Sequence, residues 1–409
     1  MTEGATEKLF IRGCTSINIR GQESGPGLRE NTTNRFAGLD LLRGIAAVAV
    51  LLMHCWTTPS LWPQASPNLL PRAYLAVDLF FVLSGFVITH AYDHRLASAT
   101  QLRRFCAARM IRLYPFYFAA LVLAAAEMLM AVRIGQGADP NVTSGHLSAS
   151  FATALLFLPT PQSWSVWPPF LFPLAFTAWT LVWELLVNLL YGLGGPRFRG
   201  IWLAAPVLLG GVGLCAALYI FGSADGGGYW QGAWVGAARA LFSFFVGVAL
   251  FRLRERLRAP SIPLPILAIA LVLAFVPARG SAIYDFACIG FLFPFLVWLG
   301  AEASMSAPLR AFSLFAGFLS YPVYLLQAPL LWALPPLAVR LSSFVPAGEI
   351  RQIAVQLYPC AIIAAAWLIA RWFDQPVREW LRQRLLSDTP GRTTPGAPPA
   401  TTTTSPAWQ

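Results

Sequence analysis

The chain has 409 residues, of which 57% are hydrophobic and only 11% charged, with a formal net charge of +11. Soluble domains carry about 25% charged residues, so the composition excludes an ordinary water-soluble domain and indicates a polytopic membrane protein. The positive charge is almost all arginine, Lys8 being the single lysine. Those arginines gather between apolar runs, a pattern that fits membrane topology and gives no sign of a nucleic-acid partner.

Residues 1–34 are polar, lack an apolar signal core and read as a disordered cytoplasmic segment, not a cleaved leader. Ten apolar runs then have the length of a bilayer crossing: 39–57, 73–92, 112–132, 175–194, 201–221, 233–251, 263–278, 282–300, 313–334 and 353–372. An eleventh run, 147–159, is shorter. With a cytoplasmic N-terminus, the inside connections hold Arg95, Arg103, Arg104 and Arg109, then Arg197 and Arg199, then Arg252, Arg254, Arg256 and Arg258, then Arg310. The outside connections hold only Arg72, Arg133, Arg279, Arg340 and Arg351, as the enrichment of basic residues on the cytoplasmic side requires. Counting 147–159 as a span would reverse this bias, so that run reads as re-entrant or interfacial. The fold class is therefore an all-α transmembrane bundle of about ten spans with both termini inside, in the cytoplasmic membrane. Its membrane domain covers 35–380, and the Pro- and Thr-rich residues 381–409 read as a disordered tail. Cys14, Cys55, Cys106, Cys215, Cys288 and Cys360 show no paired spacing and suggest no metal site.

Ionisable groups inside spans mark functional-site candidates. Arg43 and His54 lie in the first span, eleven residues apart, so both project from one helix face about 16 Å apart. His54 near the outer surface reads as a catalytic base or as a structural interfacial histidine. Asp78, near the outer start of the second span, is level with His54 and either orients its ring or serves a cap or ion pair. Ser84 and Gly85 follow, where a ligand or a neighbouring helix approaches closely. Arg103, Arg104, Arg109 and Arg112 precede the third span. They form a seat for phosphates, or they are topological charge and lipid contact. Glu184 in the fourth span is a partner for Arg43 or Arg239, or takes part in substrate binding and proton handling. Ser320, Tyr321, Tyr324 and Gln327 line one face of the ninth span.

These segments resemble the acyltransferase-3 family of integral membrane acyltransferases. The resemblance is carried by Leu39-Asp-Leu-Leu-Arg43 with His54, by Val77-Asp-Leu-Phe-Phe-Val-Leu-Ser-Gly-Phe86, by Arg103-Arg104 with Arg109, Arg112 and Pro115, by Trp179-Thr-Leu-Val-Trp-Glu184, and by Leu319-Ser-Tyr-Pro-Val-Tyr-Leu325. It implies transfer of an acyl group, acetyl in the first instance, from cytoplasmic acyl-CoA to a hydroxyl of a carbohydrate or glycolipid acceptor on the outer side. Acyl-CoA is then a co-substrate, with no permanently bound cofactor. By position, His54 resembles the catalytic histidine, Arg43 its partner and the four arginines the motif that meets the CoA phosphates. Glu184 matches the family's acidic residue, and Ser84, Tyr321, Tyr324 and Gln327 are candidates for substrate contact. Many relatives carry histidine where Gln327 stands, and glutamate where Asp374 precedes Gln375-Pro376. The competing reading is a transporter or flippase in which Arg43, Asp78, Glu184 and Arg239 exchange ion-pair partners.

Overall fold

Within a bilayer every backbone N–H and C=O must be bonded inside its own segment, so apolar runs of this length fold as helices. The computed structural model describes residues 36–386 apart from 58–67, 95, 97, 135–141, 255, 279–280 and 342–346. The two terminal segments, together with Arg95 and Arg279, lie outside the described residues, as do the side chains of Arg133, Arg340 and Arg351. The helices are α1 (Ala37–Thr57), α2 (Ala76–Tyr92), α3 (Ala99–Ile134), α4 (Ser144–Leu155), α5 (Trp179–Gly194), α6 (Ile201–Phe221), α7 (Ala233–Leu253) and α8 (Leu264–Phe275). They are followed by α9 (Ala282–Gly300, with a π turn at Cys288–Leu292), α10 (Ala307–Leu341), α11 (Ala347–Ile369) and α12 (Gln375–Leu385), the last two joined through a π turn at Ala370–Asp374. No strand occurs among the described residues, only two isolated bridges.

Nine helices among the described residues are long and apolar enough to cross a membrane. α8 has only 12 residues, yet its ends are tied to opposite ends of the bundle. Leu264 N–H donates to Ser304 C=O just past α9, and Phe275 C=O accepts from Arg72 N–H just before α2. α8 therefore runs from one end of the bundle to the other, although it is shorter than the nine. α4 also has 12 residues but does not cross. Its last carbonyls, Ala154 and Leu155, accept from the hydroxyls of Tyr117 and Tyr114, about halfway along α3. The chain after α4 then returns to the end it came from, where Leu171 N–H donates to Gly228 C=O and Trp230 Nε1 donates to Thr160 C=O. The reading of 147–159 as a re-entrant run matches this path.

Two expected boundaries move. α3 begins at Ala99, so Arg103, Arg104 and Arg109 stand on the spanning helix itself and not in a connection before it. The final helix runs to Leu385, so residues 381–385 belong to the helical domain, not to a disordered tail. Both shifts have one cause: helical hydrogen bonding continues past the apolar stretch, carried by arginine-rich turns that hydropathy leaves out.

Lipid tails are as apolar as leucine side chains, so helix association here depends on close packing and polar pairs. α2 and α7 run parallel and touch through glycine. A Cβ on Gly85 would lie 2.0 Å from Phe244 C=O, and one on Gly247 would lie 2.1 Å from Val82 C=O. Of the two readings of Gly85, the neighbouring helix is the one observed. Gly247→Ala is expected to push these backbones apart at a cost of about 1–3 kcal/mol; a thermal unfolding midpoint equal to the native protein's would contradict this. α1 and α10 also run parallel and close, Gly317 meeting Asp40 and Gly44 meeting Ala316. That alignment carries His54 to Gln327.

Candidate active site

His54 sits one turn from the end of α1 and half-buried. Its Nδ1 lies 3.1 Å from Gln327 Oε1 on α10, and its ring meets Phe176 edge-on at 5.0 Å. Gln327 is fully buried, and its Nε2 donates to Tyr324 C=O at 2.9 Å. That second bond orients the carboxamide so that the oxygen faces the imidazole. The oxygen can only accept, so Nδ1 carries a proton and, in the neutral ring, Nε2 holds the lone pair.

The expected partnership of His54 with Asp78 is corrected here. Asp78 is fully buried and holds Arg239 of α7, with Nη2 at 2.7 Å and Nε at 3.1 Å, while Ser243 adds a hydroxyl bond. Arg239 also donates to Tyr74 C=O and Gly226 C=O, and its guanidinium stacks 5.8 Å over Trp179. A guanidinium two turns into α7 outcompetes a neutral imidazole for the carboxylate because the charged pair meets it with parallel bonds. The structural ion-pair reading of Asp78 is therefore the one observed.

Glu184 accepts from the Ser84 hydroxyl at 2.9 Å; of its two expected arginine partners, Arg239 is held by Asp78, while Arg43 lies 3.8 Å from Asp40 of its own helix. The charge of Glu184 acts on Arg109 and Tyr324, which places it between the arginine-bearing part of α3 and the tyrosines of α10. Tyr324 is buried and packs on Phe80. Tyr321 donates its hydroxyl to Leu113 C=O and so ties α10 to α3. Asp374 is buried and paired with Arg378 at 2.5 Å.

The four arginines of α3 do not converge on one point. At about 100° per residue, Arg103 and Arg112 project from opposite sides of the helix, while Arg109 and Arg112 lie within about 60° of each other. Arg103, Arg104 and Arg112 are exposed; Arg109 is half-buried and stacks over Tyr92 and Phe105 at 5.6 Å. Arg43, Arg112 and Glu184 act electrostatically on Arg109. Of the arginines at 252–258, Arg252 is held by Asp93 and Arg254 by Glu302, each at 2.5 Å.

Two residues escaped the sequence reading. Thr177, beside Phe176, is buried with no partner for its hydroxyl among the described residues; Asn188, one turn from Glu184, is buried with neither side-chain polar atom bonded. A threonine and an asparagine in an apolar run give no periodic signal, and only the packing shows that their polar atoms lack partners. Among the described residues no group of three or more His, Cys, Asp or Glu side chains suits a metal ion.

A family profile for an acyltransferase domain matches residues 36–371. The chain is similar to "Protein 2 in picA locus" from Rhizobium radiobacter, 37% identical over 176 residues, which cover 42% of this chain and 87% of that protein. No solved structure matches the chain.

Proposed function

Since the chain belongs to the acyltransferase-3 family and is an acyltransferase with its domain over residues 36–371, we propose that it moves an acyl group from cytoplasmic acyl-CoA to a sugar hydroxyl at the outer side of the cytoplasmic membrane. The observation that supports this most is the pairing of His54 with an amide whose own hydrogen bond leaves Nε2 as the basic nitrogen. In the reaction, Nε2 takes the proton of the acceptor hydroxyl as its oxygen attacks the thioester carbonyl. The tetrahedral intermediate collapses, the C–S bond breaks, and the departing sulfur takes the proton back from the imidazolium. The products are an O-acyl sugar and free CoA. An attack through an acyl-histidine would add a step that the geometry does not call for.

Tyr324 and Thr177 are the hydroxyls that flank the histidine's end of the site and suit a developing oxyanion. Ser84 is already bonded to Glu184 and Tyr321 to a backbone carbonyl. Arg43, about 16 Å down the same helix, is too far to touch a carbonyl at His54. It suits the donor's path, with Arg109 and Glu184 beyond it. Acetyl-CoA is the donor of first choice, and membrane lipids surround the site.

The reading is tested by mass spectrometry of surface glycans from cells with and without the protein. A mass difference equal to one acyl group per modified sugar is expected, and identical glycans together with no CoA-thioester binding by purified protein would refute it. Replacing Arg103 and Arg104 together by alanine is expected to raise the KM for acyl-CoA several-fold with little change for the acceptor. An unchanged donor KM would reduce these two arginines to topological charge.

A further inference from the structure

Three buried polar atoms on α3 and α5 have no hydrogen-bond partner among the described residues: Nδ2 and Oδ1 of Asn188, and Nε of Arg109. Asn188 is only 2% exposed. Helix packing brings these atoms to one level. Gly192 of α5 rests on Leu102 and Phe105 of α3, and Glu184, two turns back along α5, acts on Arg109. The helices are therefore antiparallel, and Asn188, one turn from Gly192, falls at about the level of Arg109, one turn from Phe105.

A carboxamide with both its donor and its acceptor unbonded is unfavourable in a low-dielectric interior, and a leucine of similar shape would fill the same volume without that cost. Such a group is completed by a ligand or by an ordered water. Its complement is another amide: Oδ1 accepts the N–H, and Nδ2 donates to the C=O. Arg109 Nε adds a further donor, suited to a carbonyl or hydroxyl oxygen.

We propose that Asn188 and Arg109 form a binding site for an amide of the pantetheine arm of the acyl donor. The inference rests on the acyl-CoA reading above and deepens it. Along that arm the amides lie between the phosphates and the thioester. In the protein, Asn188 and Arg109 lie between the exposed Arg103 and Arg104 on one side and Glu184, Tyr324 and His54 on the other. The order of groups in the ligand thus matches the order of partners in the site. Asn188 holds the arm without touching the reacting atoms, so its contribution falls on donor affinity.

The test uses the full-length protein in lipid nanodiscs, with Asn188→Leu and Asn188→Gln. Two probes are titrated: acetyl-CoA, and phosphoadenosine diphosphate, the same nucleotide without the arm. Asn188→Leu is expected to weaken acetyl-CoA binding by roughly ten- to a hundredfold, the loss of two neutral hydrogen bonds. Binding of the nucleotide stays the same. Without ligand, the leucine variant unfolds at the native temperature or above it, because two unbonded polar atoms are gone; a merely structural asparagine would lower it. Asn188→Gln keeps the amide and regains part of the affinity. Native-like acetyl-CoA binding by Asn188→Leu, or equal loss of both probes, overturns the proposal and leaves the acyl-CoA reading standing. Failure of the native protein to bind either probe overturns both.

Discussion

Replacing His54 by alanine is expected to lower the rate of acyl transfer by about 10²–10⁴-fold, the usual contribution of a positioned general base. Donor affinity should change little. The ring meets Gln327 and Phe176, while the groups proposed for the donor lie on α3 and α5. Steady-state kinetics on purified protein, with acyl-CoA binding measured in parallel, would show the split. Acylation retained at the native rate would remove the histidine from the chemistry. Gln327→Leu provides an independent check, since it keeps the imidazole and removes the acceptor for Nδ1–H. Both tautomers then become accessible, and kcat falls while the donor KM holds. If kcat survives that change, the amide does not set the tautomer.

Removing one member of the buried pair Asp78–Arg239 is expected to have the largest effect on stability. Arg239 is 1% exposed and Asp78 fully buried, so Asp78→Ala would leave a guanidinium without its counter-charge between α2 and α7. Breaking such a pair typically costs about 3–5 kcal/mol, far more than the net worth of the intact pair. The carboxylate also fixes the guanidinium that holds Tyr74 C=O, Gly226 C=O and the face of Trp179, so the loss should loosen the start of α5 as well. Denaturation in detergent should show a strongly lowered midpoint for Asp78→Ala. The double variant Asp78→Leu with Arg239→Met removes both charges and should recover most of the loss. It also separates the two roles considered for Asp78. A structural pair predicts that the double variant keeps its pH–rate profile, and a shifted profile would return the carboxylate to the orientation of His54.

The apolar helices were legible because a bilayer imposes one constraint everywhere: apolar length sets where a helix must be. The same logic separated the α4 run from the true spans by its effect on the charge bias. Helix ends were less legible. Around Ala99 and Leu385 the backbone stays helical in arginine-rich sequence, where hydropathy carries no signal. Candidate residues were legible as types, since a charge inside an apolar run stands out. Their partners were not: Asp78 was equally compatible with His54 and with an ion pair, and Glu184 with either arginine.

Sequence by itself determined the membrane class, the succession of apolar helices, the family, and the positions of Arg43, His54, Asp78, Glu184 and the arginines of α3. Each follows from composition, periodicity or motif, which are properties of local chain. Tertiary structure alone decided that Gln327 faces the imidazole, that Asp78 belongs to Arg239, that the four arginines diverge around one helix, and that Asn188 is buried with two unbonded polar atoms. The reason is steric and electrostatic. Glycine contacts fix how α1 meets α10 and how α2 meets α7, and only after those registers are set does it emerge which polar group another can reach.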